Sequence, residues 1–282
     1  EIKQVLKSPA FVLLMVWAAF LTNFALITDR DPDGRPTYPV TALTLPDLKE
    51  IFLVLPMILV IIYTGELVWR ERDRRMHEII DSAPHPNWAY VVPKTAAIAL
   101  LLFAVFTVSA LVTAGLQLSL GYTRIAPGTY LFWYILPMTW DAMLVAALAT
   151  FVQVLSPHKF LGWGIMVLYV AAVFTNIMPE HNLLRYAGVP PEYYSDMDGV
   201  SSFWEGPWVF RLYWGAFAAM LLVAAHLLWR RGTEIRFRPR LAQAARNLRG
   251  GARRVGVVAL VTFAASGAYA FYNTNVLNRF ET

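Results

Sequence analysis

The residues best placed to bind or to catalyse lie in one charged segment, residues 65–94, which reads GELVWRERDRRMHEIIDSAPHPNWAYVVPK. It separates two apolar runs that are each long enough to cross a bilayer. Three acid–base pairs within it lie four residues apart: Glu66 with Arg70, Glu71 with Arg75, and Arg74 with Glu78. In the first two pairs the acid precedes the base, which is the favourable order on a helix surface. The spacing predicts a charged helix. The segment is either a docking surface for a protein partner or a solvated connection that only fixes the orientation of the chain in the membrane.

The same segment predicts where this helix ends. Its charges continue the apolar run before it, so we expect the second membrane helix to extend to about Asp81. Pro84 and Pro86 then break the helix, because proline lacks the backbone N–H that a further turn needs. Trp88 and Tyr90 are of the type that marks a membrane–water interface, and we expect the chain to re-enter the bilayer there.

One part of the segment approaches a zinc-peptidase motif, which requires His-Glu-x-x-His on a helix. Residues 77–81 read His-Glu-Ile-Ile-Asp, so an aspartate stands where the second histidine is needed, and we predict no metal site. The sequence also lacks the Gly-x-x-x-x-Gly-Lys-Ser/Thr loop of many ATPases and the Gly-x-Ser-x-Gly elbow of serine hydrolases. We therefore expect a chain that is not itself an enzyme and carries no cofactor.

A single aspartate, Asp141, lies midway along another apolar run, in the sequence PMTWDAMLV. Ionisable groups are costly in hydrocarbon, and those that are found there are often functional. Asp141 could handle protons or substrate in a cavity, or it could form an interhelical hydrogen bond, which is the interpretation we favour. An intramembrane enzyme built on Asp141 is a third alternative, although no second catalytic group accompanies it.

The composition is that of an all-α integral membrane protein. The chain has 282 residues, of which 57% are hydrophobic, and its long apolar runs are too numerous for a soluble domain. Seven runs are predicted to cross the bilayer as helices of about 20 residues: 10–28, 48–68, 93–118, 129–155, 161–178, 207–229 and 255–272. We expect a six-helix bundle over residues 1–229, followed by a seventh transmembrane helix.

The basic residues predict the orientation, because they concentrate in cytoplasmic loops. With the N-terminus inside, the inner segments hold 17 lysines and arginines, and the outer segments hold 7. Nine of the 17 are arginines of a basic cytoplasmic linker, residues 230–254. The outer loop over residues 179–206 is rich in aromatic residues, which predicts short helices at the interface. We expect the N-terminus inside and the C-terminus outside.

The order of these parts resembles the membrane half of an ABC-2 class transporter permease: an amphipathic lead-in, two spans, a charged helix, three spans, a long outer loop and a sixth span. The resemblance covers about residues 1–230. After its second span the family has Gly-Glu, an Arg-Glu-Arg run, a turn with proline and a lysine that opens the third span. The matching residues are Gly65, Glu66, Arg70, Glu71, Arg72, Ala83, Pro84 and Lys94.

In that family the charged segment is the coupling helix that contacts a separate cytoplasmic ATPase subunit, which binds the ATP. The resemblance implies an ATPase-coupling interface here: Glu66, Arg70, Glu71, Arg72, Arg74, Arg75, Glu78 and Asp81. It also implies an exporter in a bacterial inner membrane, completed by a second permease half from the same polypeptide or a dimer. Replacing Arg72 and Arg75 by Glu is expected to uncouple ATP hydrolysis from transport.

The remaining residues resemble bacterial proteins in which an ABC-2 permease is fused to an aminopeptidase N-like metallopeptidase. The seventh span would carry the chain outside, and the tail, residues 273–282, would begin the junction. This resemblance leaves a rival function open, a non-transporting membrane anchor for an extracytoplasmic zinc peptidase. The net charge of +5 lies mainly in the predicted cytoplasmic loops, as in other membrane proteins. We therefore expect the protein to interact with the lipid bilayer and not with nucleic acid.

Overall fold

The described part of the protein is built from helices and contains no strand. A computed structural model describes six stretches of the chain: residues 9–28, 39–82, 86–175, 177–192, 204–230 and 237–277. Within these stretches the expected all-α fold is confirmed.

We number the helices in chain order. They are α1 Pro9–Thr28, α2 Thr41–Ile51, α3 Leu55–Asp73, α4 His77–Ser82, α5 Trp88–Ser119, α6 Pro127–Leu155, α7 Lys159–Phe174, α8 Glu205–Leu227, α9 Phe237–Asn247 and α10 Gly250–Tyr272. A π-helical turn, Leu131–Ile135, interrupts α6, and a second one, Asn273–Leu277, prolongs α10.

Within the described residues, four helices are each long and apolar enough to cross a membrane, namely α5, α6, α8 and the prolonged α10. They coincide with the third, fourth, sixth and seventh predicted spans. Helices α2 and α3 form a fifth candidate, which is bent by 44°. The chain is therefore a multi-pass membrane protein. Helix α7 and the apolar stretch Phe11–Phe24 of α1 are shorter than 18 residues, so the full count of seven spans stays a prediction.

Proline explains the bend between α2 and α3. We expected one helix over residues 48–68, but residues 52–54 separate two helices, and this expectation is corrected. In a continuous helix the nitrogen of Pro56 would have to donate to the carbonyl of Phe52, which it cannot do, and its ring would clash with that carbonyl. Proline is accepted in the first turn of a new helix, where its N–H has no partner to lose.

The charged helix also ends earlier than the sequence predicted. We expected the second span to continue as a helix to about Asp81, and this expectation is wrong. Helix α3 ends at Asp73, a turn follows, and the short helix α4 begins at His77. The segment is therefore two helices joined by a turn.

The turn after α3 has the hydrogen bonds of a Schellman motif. The N–H of Arg75 donates to the carbonyl of Arg72 at 3.0 Å, and the N–H of Met76 donates to the carbonyl of Glu71 at 2.9 Å. Arg75 has a φ of 55°, in the left-handed region that usually holds glycine at this position. A left-handed residue cannot continue the helix. The predicted pair of Arg75 with Glu71 is therefore replaced by another partner for Glu71, described below.

The described residues fall into two compact units. The first takes its residues from Glu1–Leu59 and Ala96–Met143, and the second from Val60–Thr95, Leu144–Glu192 and Ser202–Thr282. In the first unit Phe106 packs edge-on against Phe52 and Tyr134, with ring centroids 6.3 and 5.8 Å apart. The hydroxyl groups of Tyr134 and Ser109 lie 2.8 Å apart in the same buried layer.

Aromatic residues form the core of the second unit. The Tyr186 hydroxyl donates to the carbonyl of Leu144 at 2.6 Å, and its ring packs edge-on against Trp214. Helices α8 and α10 are in contact through Tyr213 and Phe263, whose rings are stacked with centroids 4.3 Å apart. Helix α10, the predicted seventh span, thus packs directly on α8.

The described part of the outer loop, residues 177–192, has turns and no helix. The expected short helices in this loop stay a prediction, because residues 193–203 lie outside the described residues. Other boundaries change. The basic linker contains helix α9, and α10 begins at Gly250 rather than at residue 255. The tail continues as a helical turn to Leu277.

Candidate functional site

Lys94, near the start of α5, is a buried cation that joins α5 to α3. Its side chain is 3% exposed, and its Nζ lies 2.5 and 2.7 Å from the two carboxylate oxygens of Glu71. The same Nζ donates to the carbonyl of Leu67 and lies 5.9 Å from the centre of the Trp229 ring. A buried charge is tolerated only when it is paired and hydrogen-bonded. This ion pair therefore fixes the end of α3 against α5.

A second, more exposed group of charges joins α3 to α7. The Nζ of Lys159, the first residue of α7, lies 2.8 Å from Asp73 and 3.3 Å from Glu66. The two acidic side chains are 44% and 51% exposed, and ion pairs at such positions contribute little to stability. Glu66 thus has a partner within the protein, from another helix.

Polar contacts also hold α3 to the ends of α6 and α8. The indole N–H of Trp69 donates to Gln153 Oε1 at 2.9 Å, and the Arg72 guanidinium donates to the carbonyl of Arg230 at 3.3 Å. The Arg230 guanidinium lies over the Trp69 ring at 5.5 Å and donates to the carbonyl of Pro157 at 3.2 Å. Burial, together with the charge of Arg72, lowers the pKa of Arg230. Together with the contacts to α5 and α7, these bonds hold the end of α3 against four other helices.

Two glycines permit this close approach. A Cβ added at Gly65 would lie 2.0 Å from Nε1 of Trp163 in α7, and one added at Gly162 would lie 2.4 Å from Oε1 of Gln153 in α6. Small residues let membrane helices come this close. Gly65, which matches the family pattern, therefore has a packing role in this structure.

A small cavity lies among these contacts. It has a volume of about 30 Å³ and is lined by residues that include Arg72, His77, Tyr90 and Trp229. Such a volume accommodates one or two water molecules and is too small for a nucleotide or a transported solute. The Nδ1 atom of His77 is buried and has no hydrogen-bond partner in the described part of the chain. Within the described residues, no three His, Cys, Asp or Glu side chains are grouped as metal ligands.

The structure places six of the eight predicted interface residues in two groups. Three of them contact other helices of the protein: Glu66, Glu71 and Arg72. Three others are exposed, in the turn and in α4: Arg74, Arg75 and Glu78. Arg70 is half-buried in α3, and the backbone of Asp81 lies in α4. We call residues 74–79 the exposed turn, because all of them except the half-buried His77 are exposed and could be reached by a partner.

Asp141, the aspartate within the predicted fourth span, belongs to the other unit of the fold. It is half-buried in α6, belongs to the first unit and has an interaction partner within the protein. The site described above belongs to the second unit.

The role of Lys94 was not predicted from the sequence, although the residue lies within the predicted third span. A lysine inside an apolar helix requires an acidic or carbonyl partner, and this rule points to the charged segment just before it. Lys159 and Gln153 gave no such signal, because their contacts with α3 join residues 86 and 84 positions apart. Contacts of that range depend on how the helices pack.

Comparison of the chain with protein-family models, curated proteins and solved structures finds no match. What this region can do therefore follows from its own residues. They form a buried ion pair and an exposed charged turn, and the cavity among them is too small for a nucleotide.

Proposed function

We propose that this chain is one membrane half of an ATP-driven exporter of the ABC-2 type, energised by a separate cytoplasmic ATPase subunit. The resemblance over residues 1–230 supports the type of transporter, and a multi-pass helical fold is what such a permease requires. A second permease half, from the same polypeptide or from a dimer, completes the pathway in a bacterial inner membrane.

The observation that carries the proposal is the composition of the exposed turn. Two apolar side chains in it are left open, with Met76 47% and Ile79 73% exposed. Arg74, Arg75 and Glu78 surround them in sequence and are also exposed. Apolar side chains rimmed by charged ones are typical of a surface that binds another protein. A loop that served only to fix orientation would not need exposed apolar residues.

The contacts behind this turn give it a mechanical connection to the membrane helices. Helix α3 continues from the fifth candidate span into the turn, so a force on the turn acts along α3. The buried pair of Glu71 and Lys94 passes that force to α5, since separating a buried ion pair costs on the order of 3–5 kcal/mol. Two spanning helices are thus expected to move together when the ATPase subunit moves the turn.

Copurification from the source organism tests the proposal. The full-length protein is isolated in mild detergent, and the proteins that accompany it are identified and assayed for ATPase activity. The proposal predicts an ATPase with a phosphate-binding loop in stoichiometric amount. We choose R74E/R75E as the variant, because Arg72 holds the carbonyl of Arg230 and its replacement would disturb the fold as well.

The matched control is R246E/R249E, which reverses two exposed arginines in and next to α9. We expect R74E/R75E to lose the ATPase subunit, and the control to retain it, with equal amounts of folded protein in both. Recovery of the protein alone, with an attached peptidase activity, would favour the membrane anchor. Equal loss of the ATPase in both variants would show that the exposed turn has no specific role.

A further inference from the structure

A basic surface follows the sixth predicted span. It comprises four exposed arginines: Arg246, Arg249, Arg253 and Arg254. No acidic residue occurs in residues 237–277, and none of the four arginines forms an ion pair within the described part of the chain. The surface therefore carries positive charge that the neighbouring sequence does not neutralise.

The structure fixes this surface at the ends of two membrane helices. The Arg240 guanidinium, in α9, donates to the carbonyl of Val154 at 3.0 Å and also to the carbonyl of Leu228. These carbonyls lie at the C-terminal ends of α6 and α8, where backbone acceptors have no partner within their own helix. Burial is the main cause that lowers the pKa of Arg240 to about 10, so the side chain remains charged at neutral pH.

Apolar packing holds α9 in the same place. Ala244, one helical turn after Arg240, is buried in a cluster with Val154, Ala225 and Leu228. Leu241 and Leu248 are outside this buried cluster, and they are 52% and 43% exposed. An interfacial helix has this composition, with arginines beside apolar side chains at the level where hydrocarbon meets water.

The position of two arginines in α10 adds to the argument. Arg253 and Arg254 lie in or next to the first turn of the helix, which has no acidic residue. The helix dipole makes this end positive, so cations here weaken the helix unless negative charge lies nearby. A sheet of anionic groups at the membrane surface would provide that charge.

We infer that the basic surface binds the headgroups of anionic phospholipids in the leaflet that faces α9. The phosphates are at the depth where Arg240 holds α9, and the exposed leucines enter the boundary of the acyl chains. Basic clusters directly beside a membrane helix are attracted to anionic lipids. This inference does not depend on the exporter function, since a membrane anchor would bind lipid in the same way.

Native mass spectrometry of the full-length protein tests the inference. The protein in detergent micelles is titrated with a phosphatidylglycerol or with a phosphatidylcholine that has the same acyl chains, and the lipid-bound fraction is measured. We expect tighter binding of phosphatidylglycerol, and we expect the difference to shrink as salt is added. Each arginine near the surface is worth a factor of about five in affinity, so R253Q/R254Q should weaken phosphatidylglycerol binding by about 25-fold.

Two further variants serve as controls. The R253K/R254K variant keeps the charges and should keep the preference for phosphatidylglycerol. The R74Q/R75Q variant removes two adjacent exposed arginines elsewhere and should also keep the preference for phosphatidylglycerol. Circular dichroism checks that each variant is folded. Equal binding of the two lipids, or equal effects of R253Q/R254Q and R74Q/R75Q, would overturn the inference. Stronger binding of a short oligonucleotide than of phosphatidylglycerol, lost in R253Q/R254Q, would do so too.

Discussion

Two regions of this protein bury polar groups in different ways. In the second unit, the end of α3 is held by the charged pair of Glu71 and Lys94. In the first unit, buried polar groups pair through hydrogen bonds between neutral groups. The Gln117 amide donates to the carbonyl of Pro39 at 2.8 Å, and Gln117 Oε1 accepts from the Tyr130 hydroxyl at 2.9 Å. Both Gln117 and Lys94 are at most 2% exposed.

The difference shows where the protein depends on charge. Neutral hydrogen bonds satisfy buried groups at modest net gain, about 0.5–1.5 kcal/mol each. A buried ion pair contributes little over an apolar pair of the same shape, yet the loss of one partner is severe. A charged pair therefore suits a connection that must not separate, whereas neutral groups suit a core that only has to pack.

The largest expected effect is that of Lys94→Met, which keeps the length of the side chain and removes the charge. Glu71 would then be left without a cation. The cost of breaking a buried pair is on the order of 3–5 kcal/mol, and because the Glu71 side chain is 20% exposed we expect the lower end. At about 2–4 °C per kcal/mol, the melting temperature in detergent should fall by roughly 6–12 °C.

The matched double variant, E71M/K94M, shows whether the charge pair causes this loss. With both charges gone, no unpaired group remains, so the double variant should be more stable than K94M alone. Additive losses in the thermal melts would mean that the two residues do not act as a pair.

The second prediction concerns the packing that brings α3 close to α7. Gly65→Ala places a Cβ 2.0 Å from the Trp163 ring, and overpacking of this kind costs about 1–3 kcal/mol. Gly164→Ala is the control in α7, since no atom lies within 4 Å of its Cβ. Alanine there should stabilise the helix by up to about 1 kcal/mol. Equal melting temperatures for the two variants would refute the close approach.

The neutral region should respond less to substitution. Gln117→Leu leaves the Pro39 carbonyl without its partner and removes one hydrogen bond of the Tyr130 hydroxyl, at a cost of about 1–3 kcal/mol. Tyr134→Phe loses only its hydrogen bond to Ser109, and about 1 kcal/mol is expected. Thermal melts of both variants should lie above that of K94M. If Gln117→Leu proved the most damaging, the contrast between the two regions would be wrong.

The smallest effect is expected at the turn itself. Arg75 has a φ of 55°, and a residue other than glycine in this region is strained by about 1 kcal/mol. Arg75→Gly removes that strain. Glycine also raises the conformational entropy of the unfolded chain, which offsets part of the gain, so the protein should be only slightly more stable. Arg74→Gly, at the preceding position, lacks this gain and should destabilise. A loss of stability in Arg75→Gly would contradict the described turn.

Much of the fold could be predicted from the sequence, because apolar runs of membrane length form helices in any context. The four helices that pass the test of length and apolarity coincide with predicted spans. The bend before Pro56 was also encoded, since the proline was visible within the predicted span. The prediction of one continuous helix over residues 48–68 nevertheless lacked this break.

The candidate site was predicted less well. Charge spacing indicated a ladder along one long helix, but it could not show that Arg75 takes a left-handed conformation, since glycine usually marks that position. The spacing also predicted an ion pair of Glu71 with Arg75. In the structure Glu71 pairs with Lys94, 23 residues later, because a buried cation needs a carboxylate more than an exposed one does. Local spacing thus found the right segment and the wrong contacts.

The central claim is that the exposed turn contacts an ATPase subunit, and site-specific cross-linking tests it most directly. The chain has no cysteine, so the variant E78C carries one reactive thiol on the turn, and R124C, exposed in the turn between α5 and α6, is the control. Both are treated in native membranes with a cleavable thiol–amine cross-linker. The account predicts that E78C, and not R124C, is joined to a protein with a phosphate-binding loop. Cross-linking of E78C only to lipid or to other copies of this chain, or equal capture of the ATPase by R124C, would contradict it.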